Sequence, residues 1–219
     1  MLQPATLAFL RQLKKNNDKT WFDSHRKEYE AAKGDFELFV AAILKELSPL
    51  EPTLNTQKAK DCIHRIFRDV RFSKDKSPYK AVFSAVFSRG GRKWEGAVYY
   101  IHVEPGASFA GGGLWQPEPP MLKAVRQEID FAHKEFDGIV KSKSFTKAFP
   151  KLDGEKLQKP PQGYDTTNPA VEYLKMKGFS AGSPLKDEVF TGKDAVKKVM
   201  EAFTALRPLV DFLNRPLNS

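Results

Sequence analysis

The chain has 219 residues, 41% hydrophobic and 12% aromatic, which excludes a disordered polypeptide and suffices to fill a substantial core. A single cysteine, Cys62, excludes an intramolecular disulfide and fits a reducing compartment, and the net charge of +9 favours anionic partners. No apolar run approaches the roughly 20 residues that span a bilayer, and no basic stretch precedes a continuous apolar run near Met1, so a cytoplasmic protein without a membrane partner is expected.

The first element reads as a helix, with Pro4 in its first turn and Leu7, Leu10 and Leu13 at helical spacing. Asn16-Asn17-Asp18 breaks it and offers an N-cap. A long amphipathic helix is expected next, carrying Trp21, Phe22, Tyr29, Phe36, Phe39, Ile43 and Leu47 at three- and four-residue steps, until Pro49 and Pro52 stop it. From about Ile63 the period changes to two. Ala81–Ser88 and Ala97–Val103 are rich in β-branched and aromatic residues, and Ile66–Phe72 and Ser108–Trp115 flank them as further strands. Their short connections favour antiparallel pairing. Beyond Pro117 the pattern is helical again over Met121–Phe131, Lys134–Lys141 and Ala170–Lys177. Thr191-Gly-Lys-Asp194 reads as a capping box before a last helix, which Pro208 is expected to kink or interrupt. The expected fold is α+β, one domain over 1–219: a helical part (1–57), antiparallel strands (58–116) and a mainly helical part (117–219). A central sheet of four to five strands is then flanked by helices from both ends.

Charge concentrates in one place. Between Lys58 and Lys93 eleven Lys or Arg stand against three acids, so this segment holds +8 of the chain's +9. Taken as a strand, Ile66–Phe72 places Arg65, Phe67, Asp69 and Arg71 on one face and Ile66, Arg68, Val70 and Phe72 on the other. Each face mixes charge with apolar bulk, and an inward Arg must be paired or line a cavity. A regular strand also keeps Arg68 and Arg71 from lining one pocket together. Arginine forks and lysine ammonium groups suit phosphate or carboxylate oxygens. The candidate ligand-binding residues are therefore Arg65, Arg68, Asp69, Arg71, Ser73, Lys74, Lys76, Tyr79 and Lys80, with Trp115 as an aromatic wall and Arg126 closing over the ligand. The glycines of Ala110-Gly-Gly-Gly-Leu-Trp115 permit close backbone approach to a ligand, or a bulge or tight packing.

Several motifs together resemble a known bacterial family, domain of unknown function 2461. They are Asn17-Asp-Lys-Thr-Trp-Phe22 with Tyr29, Arg68-Asp-Val-Arg-Phe-Ser-Lys-Asp-Lys-Ser-Pro-Tyr-Lys80, Gly111-Gly-Gly-Leu-Trp115, Val125-Arg-Gln-Glu-Ile129 and Lys159-Pro-Pro-Gln-Gly-Tyr164. The resemblance implies a single domain over nearly the whole chain and brings no activity, cofactor or catalytic residue. Members of the family tend to carry Asp-His-Pro after the Gly-Tyr pair, where this chain has Thr167-Asn-Pro169, so Asn168 has no general-base chemistry to offer.

Catalytic signatures are absent from the sequence. His25, His64, His102 and His133 are scattered without metal-ligand spacing, and no serine sits in a nucleophile elbow. Cys62 and His64 are two apart, a spacing that a thiolate–imidazole pair shares with an ordinary buried cysteine beside an unrelated histidine. The expectation is a site for a phosphorylated or carboxylated small molecule, with no cofactor and no metal, and with catalysis left open. The alternatives are a nucleic-acid-binding module, stacking bases on Phe72, Tyr79 or Trp94, and a protein-interaction domain without catalytic activity.

Overall fold

The computed structural model describes residues Met1–Leu217. Helix α1 (Pro4–Lys15) starts on its proline and buries Leu7, Leu10 and Leu13 as the spacing predicts. Asp18 then caps α2 (Lys19–Ser24), its carboxylate accepting the Trp21 N–H at 2.9 Å. The single long helix expected from Trp21 is broken at His25, whose φ of −107° and ψ of 21° leave the helical region. Helix α3 (Arg26–Leu47) continues, burying Tyr29, Phe36, Phe39, Ile43 and Leu47 along one stripe. A short α4 (Ala59–Cys62) leads into the basic segment.

Strands β1 (Phe83–Phe87), β2 (Val98–Val103), β3 (Phe109–Leu114) and β4 (Phe179–Pro184) form an antiparallel sheet in the order β1-β2-β3-β4. Between β3 and β4 come α5 (Pro119–Phe131), α6 (His133–Val140), α7 (Lys143–Ala148) and the one-turn α8 (Val171–Leu174), and α9 (Asp187–Thr191) and α10 (Ala195–Asn214) follow. The α+β expectation holds, with two differences among the strands. Residues 66–72 form no strand, only the isolated bridge Phe67–Tyr79, and the fourth strand comes from Phe179–Pro184 instead. Two helical details also differ. The Thr191 hydroxyl bonds back to the Glu188 carbonyl at 3.4 Å instead of capping α10, and α10 runs through Pro208 to Asn214.

The chain divides into two compact units. The first comprises 1–92, 100–110 and 184–200. It packs Phe83 of β1 against Phe36 (5.3 Å between ring centroids) and Phe9 (6.5 Å), with Phe39 edge-on to Phe190. The second comprises 93–99, 111–183 and 201–219, where Phe136 meets Phe179 and Phe212, and Tyr99 meets Phe203.

The glycines of β3 belong to the packing of the second unit. A Cβ on Gly112 would lie 2.0 Å from the Val98 carbonyl oxygen, and one on Gly113 would lie 2.2 Å from that of Phe179. Both have positive φ, 148° and 107°. Neighbouring strands therefore take up the space that these glycines leave.

Candidate functional site

The basic segment is a hairpin neck closed by a nine-residue loop. Ile63 bridges to Ala85 of β1, and the His64 N–H donates to the Ser84 carbonyl at 2.9 Å. Further on, the Arg68 N–H donates to the Pro78 carbonyl (2.9 Å) and the Lys80 N–H to the Ile66 carbonyl (2.7 Å). Those two bonds pin Arg68 and Lys80 at the neck, with residues 69–77 as the loop. Asn17 clamps the neck from outside. Its Nδ2 donates to the Tyr79 carbonyl at 2.9 Å, and its Oδ1 accepts the Tyr79 N–H at 3.1 Å. The Tyr79 ring stacks on Phe22 at 4.0 Å.

Local pairing explains why the loop is not a strand. The Asp75 carboxylate accepts both the N–H (2.9 Å) and the hydroxyl (2.6 Å) of Ser77, an Asx-type turn, and it also takes an Arg68 Nη1 donor. Ser77 first and Arg68 second pull the Asp75 carboxyl down to about 2. Arg71 grips Asp69 in a two-pronged pair at 2.7 and 3.0 Å, exposed to solvent. The Lys76 ammonium donates to the Val70 carbonyl at 3.0 Å, and Ser73 receives only a 3.4 Å contact from Arg68. Phe72, 96% exposed, stands at the loop beside the Arg71 guanidinium, 5.8 Å from the ring centre.

A cleft of about 390 Å³ opens beside the neck in the first unit. Arg68, Tyr79 and Lys80 line it together with Lys14, Asn17, Asp75, Ser77 and Glu104. Three of the sequence-predicted residues thus meet there. Arg65, Asp69, Arg71, Lys74 and Lys76 are exposed and do not line it, and nor does Ser73, which is half-buried. Trp115 and Arg126 belong to the second unit, Trp115 at 69% exposure and Arg126 donating to the Met176 carbonyl at 2.9 Å.

The charges in the cleft are unequal in their company. Lys14 pairs with Glu104 at 2.8 Å and Arg68 pairs with Asp75. Lys80 is half-buried and, among the described residues, forms neither an ion pair nor a side-chain hydrogen bond. Burial, then the positive charges of Arg65 and Arg68, push its ammonium below the usual lysine range. Lys80 is the strained charge of the site.

A polar row that starts on β2 and ends just past it runs up to the same cleft. Tyr100, His102 and Glu104 alternate with the buried Tyr99, Ile101 and Val103. Glu104 receives His102 Nε2 at 3.2 Å, and His102 Nδ1 meets the Tyr100 hydroxyl at 3.3 Å. The Lys14 ammonium and then His102 hold the Glu104 carboxyl below its ordinary value. His64 lies edge-on to Tyr100 at 6.2 Å, and burial, Lys80 and Arg92 keep its imidazole neutral-leaning. Sequence reasoning passed over Lys14, Glu104 and this row. Its signal was the strict alternation of Tyr100, His102 and Glu104 with apolar residues.

The Cys62–His64 spacing supports no nucleophile here. Burial, with Asp61 adding to it, pushes the buried Cys62 thiol up to about 11, so it stays protonated. Among the described residues no group of three His, Cys, Asp or Glu side chains could hold a metal ion. None of the described helices is long and apolar enough to cross a membrane.

One family model matches residues 5–212, that of the conserved hypothetical protein DUF2461. The chain belongs to this family. No curated protein and no solved structure matches it. Membership in DUF2461 brings no reaction with it, so any functional reading rests on the residues of the cleft.

Proposed function

We propose that the cleft beside the basic neck binds a small anion, a phosphorylated or carboxylated molecule. The observation that carries this is the isolation of Lys80. Its neighbours Lys14, Arg68 and Arg71 each have a carboxylate, whereas Lys80 is withdrawn from water and faces like charge from Arg65 and Arg68. An entering oxyanion would relieve that repulsion, with the Arg68 guanidinium beside it as a second donor. Ser77 and the Asn17 amide, also lining the cleft, add polar groups that orient a ligand.

The test is thermal unfolding with inorganic phosphate, pyrophosphate or citrate at constant ionic strength. At ten times the dissociation constant a bound anion adds about 1.4 kcal/mol, a rise of about 3–5 °C in a chain of this length. Lys80→Met should weaken binding about tenfold or more and remove that rise. Absence of any anion-dependent rise, or one that survives Lys80→Met, rejects the reading.

A second reading rests on Phe72. An aromatic ring left almost wholly in water beside the exposed Arg71, Lys74 and Lys76 suits stacking against a base of single-stranded nucleic acid. It requires binding that falls steeply with salt and that Phe72→Ala weakens by a factor of about 5–100. Oligonucleotide binding at low salt that is indifferent to Phe72 removes it.

A further inference from the structure

The carboxylate of Glu104 is shared between two partners. Its Oε1 accepts the Lys14 ammonium at 2.8 Å, and its Oε2 meets His102 Nε2 at 3.2 Å. Lys14 and Glu104 line the cleft, and His102 does not. Glu104 is the fixed member of the trio. Its N–H donates to the Ser108 hydroxyl at 3.0 Å, and that hydroxyl donates to the Glu104 carbonyl at 2.8 Å, with Ser108 buried. Lys14 is the movable member. It lies in the last turn of α1, and its side chain is 58% exposed against 26% for Glu104. An ion pair with so much water around it is weak and easily exchanged.

His102 has a place for a second ring proton. A carboxylate only accepts, so the bond to Glu104 needs an Nε2–H, and the neutral ring turns its Nδ1 lone pair toward the Tyr100 hydroxyl, 3.3 Å away. A second proton would sit on Nδ1, and the Tyr100 hydroxyl then has only to rotate from donor to acceptor. Burial raises the Tyr100 phenol above its ordinary value, so it stays protonated at neutral pH and can play either part. Phe109 of β3 stacks on the imidazole at 4.9 Å and brings no charge. Lys14 stands at the Glu104 end of the row and His64 at the Tyr100 end, and His64 in turn feels Lys80 and Arg92.

We infer, on the reading that this cleft holds an anion, that Lys14 is a second ligand for it, released from Glu104 as His102 takes up a proton. The cleft is lined by three cations, Lys14, Arg68 and Lys80, and two carboxylates, Asp75 and Glu104, which leaves one net positive charge. A singly charged anion balances that charge with Lys80 and Arg68 alone. A doubly charged oxyanion, of the phosphate-monoester class, leaves an excess of negative charge near Glu104. Lys14 then turns to the anion, and Glu104 keeps its charge by pairing with an imidazolium at His102. The cleft thereby favours dianions. Its affinity for them rises as pH falls, because the complex holds more protons than the free protein.

The test is calorimetric titration of the full chain with sodium sulfate at constant ionic strength, in buffers of different ionisation enthalpy. Sulfate stays doubly charged from pH 6 to pH 8, so any proton taken up enters the protein. The expected result is net proton uptake, with affinity about threefold or more higher at pH 6 than at pH 8. Saturation should also move the His102 ring nitrogens to the doubly protonated pattern in NMR. Sodium acetate, the singly charged arm, should bind without proton uptake. His102→Gln, whose amide still donates to Glu104, should bind sulfate without the uptake. Lys14→Met should weaken sulfate about fivefold or more and also remove the uptake, a change that a merely structural lysine would not produce. His64→Gln should retain it. Sulfate binding without proton uptake overturns the inference, and so does uptake that survives His102→Gln or disappears in His64→Gln. In those cases the anion site still stands if Lys80→Met abolishes binding, whereas a wild type that binds neither anion removes the site and the role of Lys14 together.

Discussion

Asn17→Ala should uncouple the neck of the basic hairpin from the helical part that holds it. The side chain satisfies both peptide groups of Tyr79, as donor at 2.9 Å and as acceptor at 3.1 Å. Tyr79 is 5% exposed, so neither group has ready access to water once the clamp is gone. A net hydrogen bond contributes about 1 kcal/mol, and a buried group left bare costs about 1–3 kcal/mol. Asn17 itself lines the open cleft, which lets water reach part of the gap, so the lower end applies and the pair together should cost about 2 kcal/mol. The stack of Tyr79 on Phe22 at 4.0 Å is untouched, which keeps the loss below the ~3–5 kcal/mol of an aromatic core truncation. Asn17→Asp retains the acceptor and loses the donor, so about half the loss is expected. Urea unfolding measures the total, and amide exchange at Tyr79 reports the local effect, about 30-fold faster in Asn17→Ala if the neck opens by that free energy. A loss under about 0.5 kcal/mol with unchanged exchange at Tyr79 would refute the clamp.

Three further outcomes follow from the same geometry. Lys80→Met should raise urea stability at neutral pH by about 0.5–1 kcal/mol, because it removes a half-buried cation repelled by Arg65 and Arg68. The folded protein holds the Lys80 proton less tightly than the unfolded chain does. The wild-type cost is therefore complete at neutral pH and fades as pH climbs through the lowered folded value toward ~10.4, so the gap between the two proteins should close in that window. Cys62, raised to about 11, acts in the opposite sense above ~8.5 but equally in both proteins, and native-state alkylation at pH 8 should be at least about 100-fold slower than in denaturant. Finally, one substitution should have opposite signs at two glycines. Gly34→Ala in α3, where nothing lies within 4 Å of a Cβ, should stabilise by about 0.5–1 kcal/mol, and Gly113→Ala should destabilise by about 3 kcal/mol or more in the same urea assay.

Helices α1 and α3 and strand β2 were legible because their periodicity is their packing. Leu7, Leu10 and Leu13 line one face of α1, and Tyr99, Ile101 and Val103 line one face of β2. The misread strand had a mixed pattern with no consistently apolar face. Its ladder lost to short-range pairs: Asp69 with Arg71, and Asp75 with Ser77 and Arg68. The missed strand, β4, reads Phe-Ser-Ala-Gly-Ser-Pro, a composition that propensity assigns to a loop. Its place was written in β3 instead. Gly113 leaves the gap into which the Phe179 carbonyl fits, and a gap of that kind is visible only once the two strands are side by side. In the cleft, Arg68 and Lys80 were legible as charge. Asn17 and Lys14 were not, because α1 and the turn after it contribute them from far along the chain.

A charge is informative about binding in proportion to what water and neighbouring acids do not already supply. Counting basic residues in 65–80 gives six, yet Arg68 and Arg71 are answered within the segment, and Arg65, Lys74 and Lys76 are solvated. Exposed pairs of this kind contribute about 0–1 kcal/mol and carry little functional meaning. Lys80 is different because the Ile66 bond and the Asn17 clamp hold its backbone where Arg65 and Arg68 repel its ammonium. The fold tolerates that repulsion without offering an acid, although Asp75 and Glu104 line the same cleft and are spent on Arg68 and Lys14. The acids of the cleft that could neutralise Lys80 are held by Lys14 and Arg68, and that arrangement is what supports the proposed anion there.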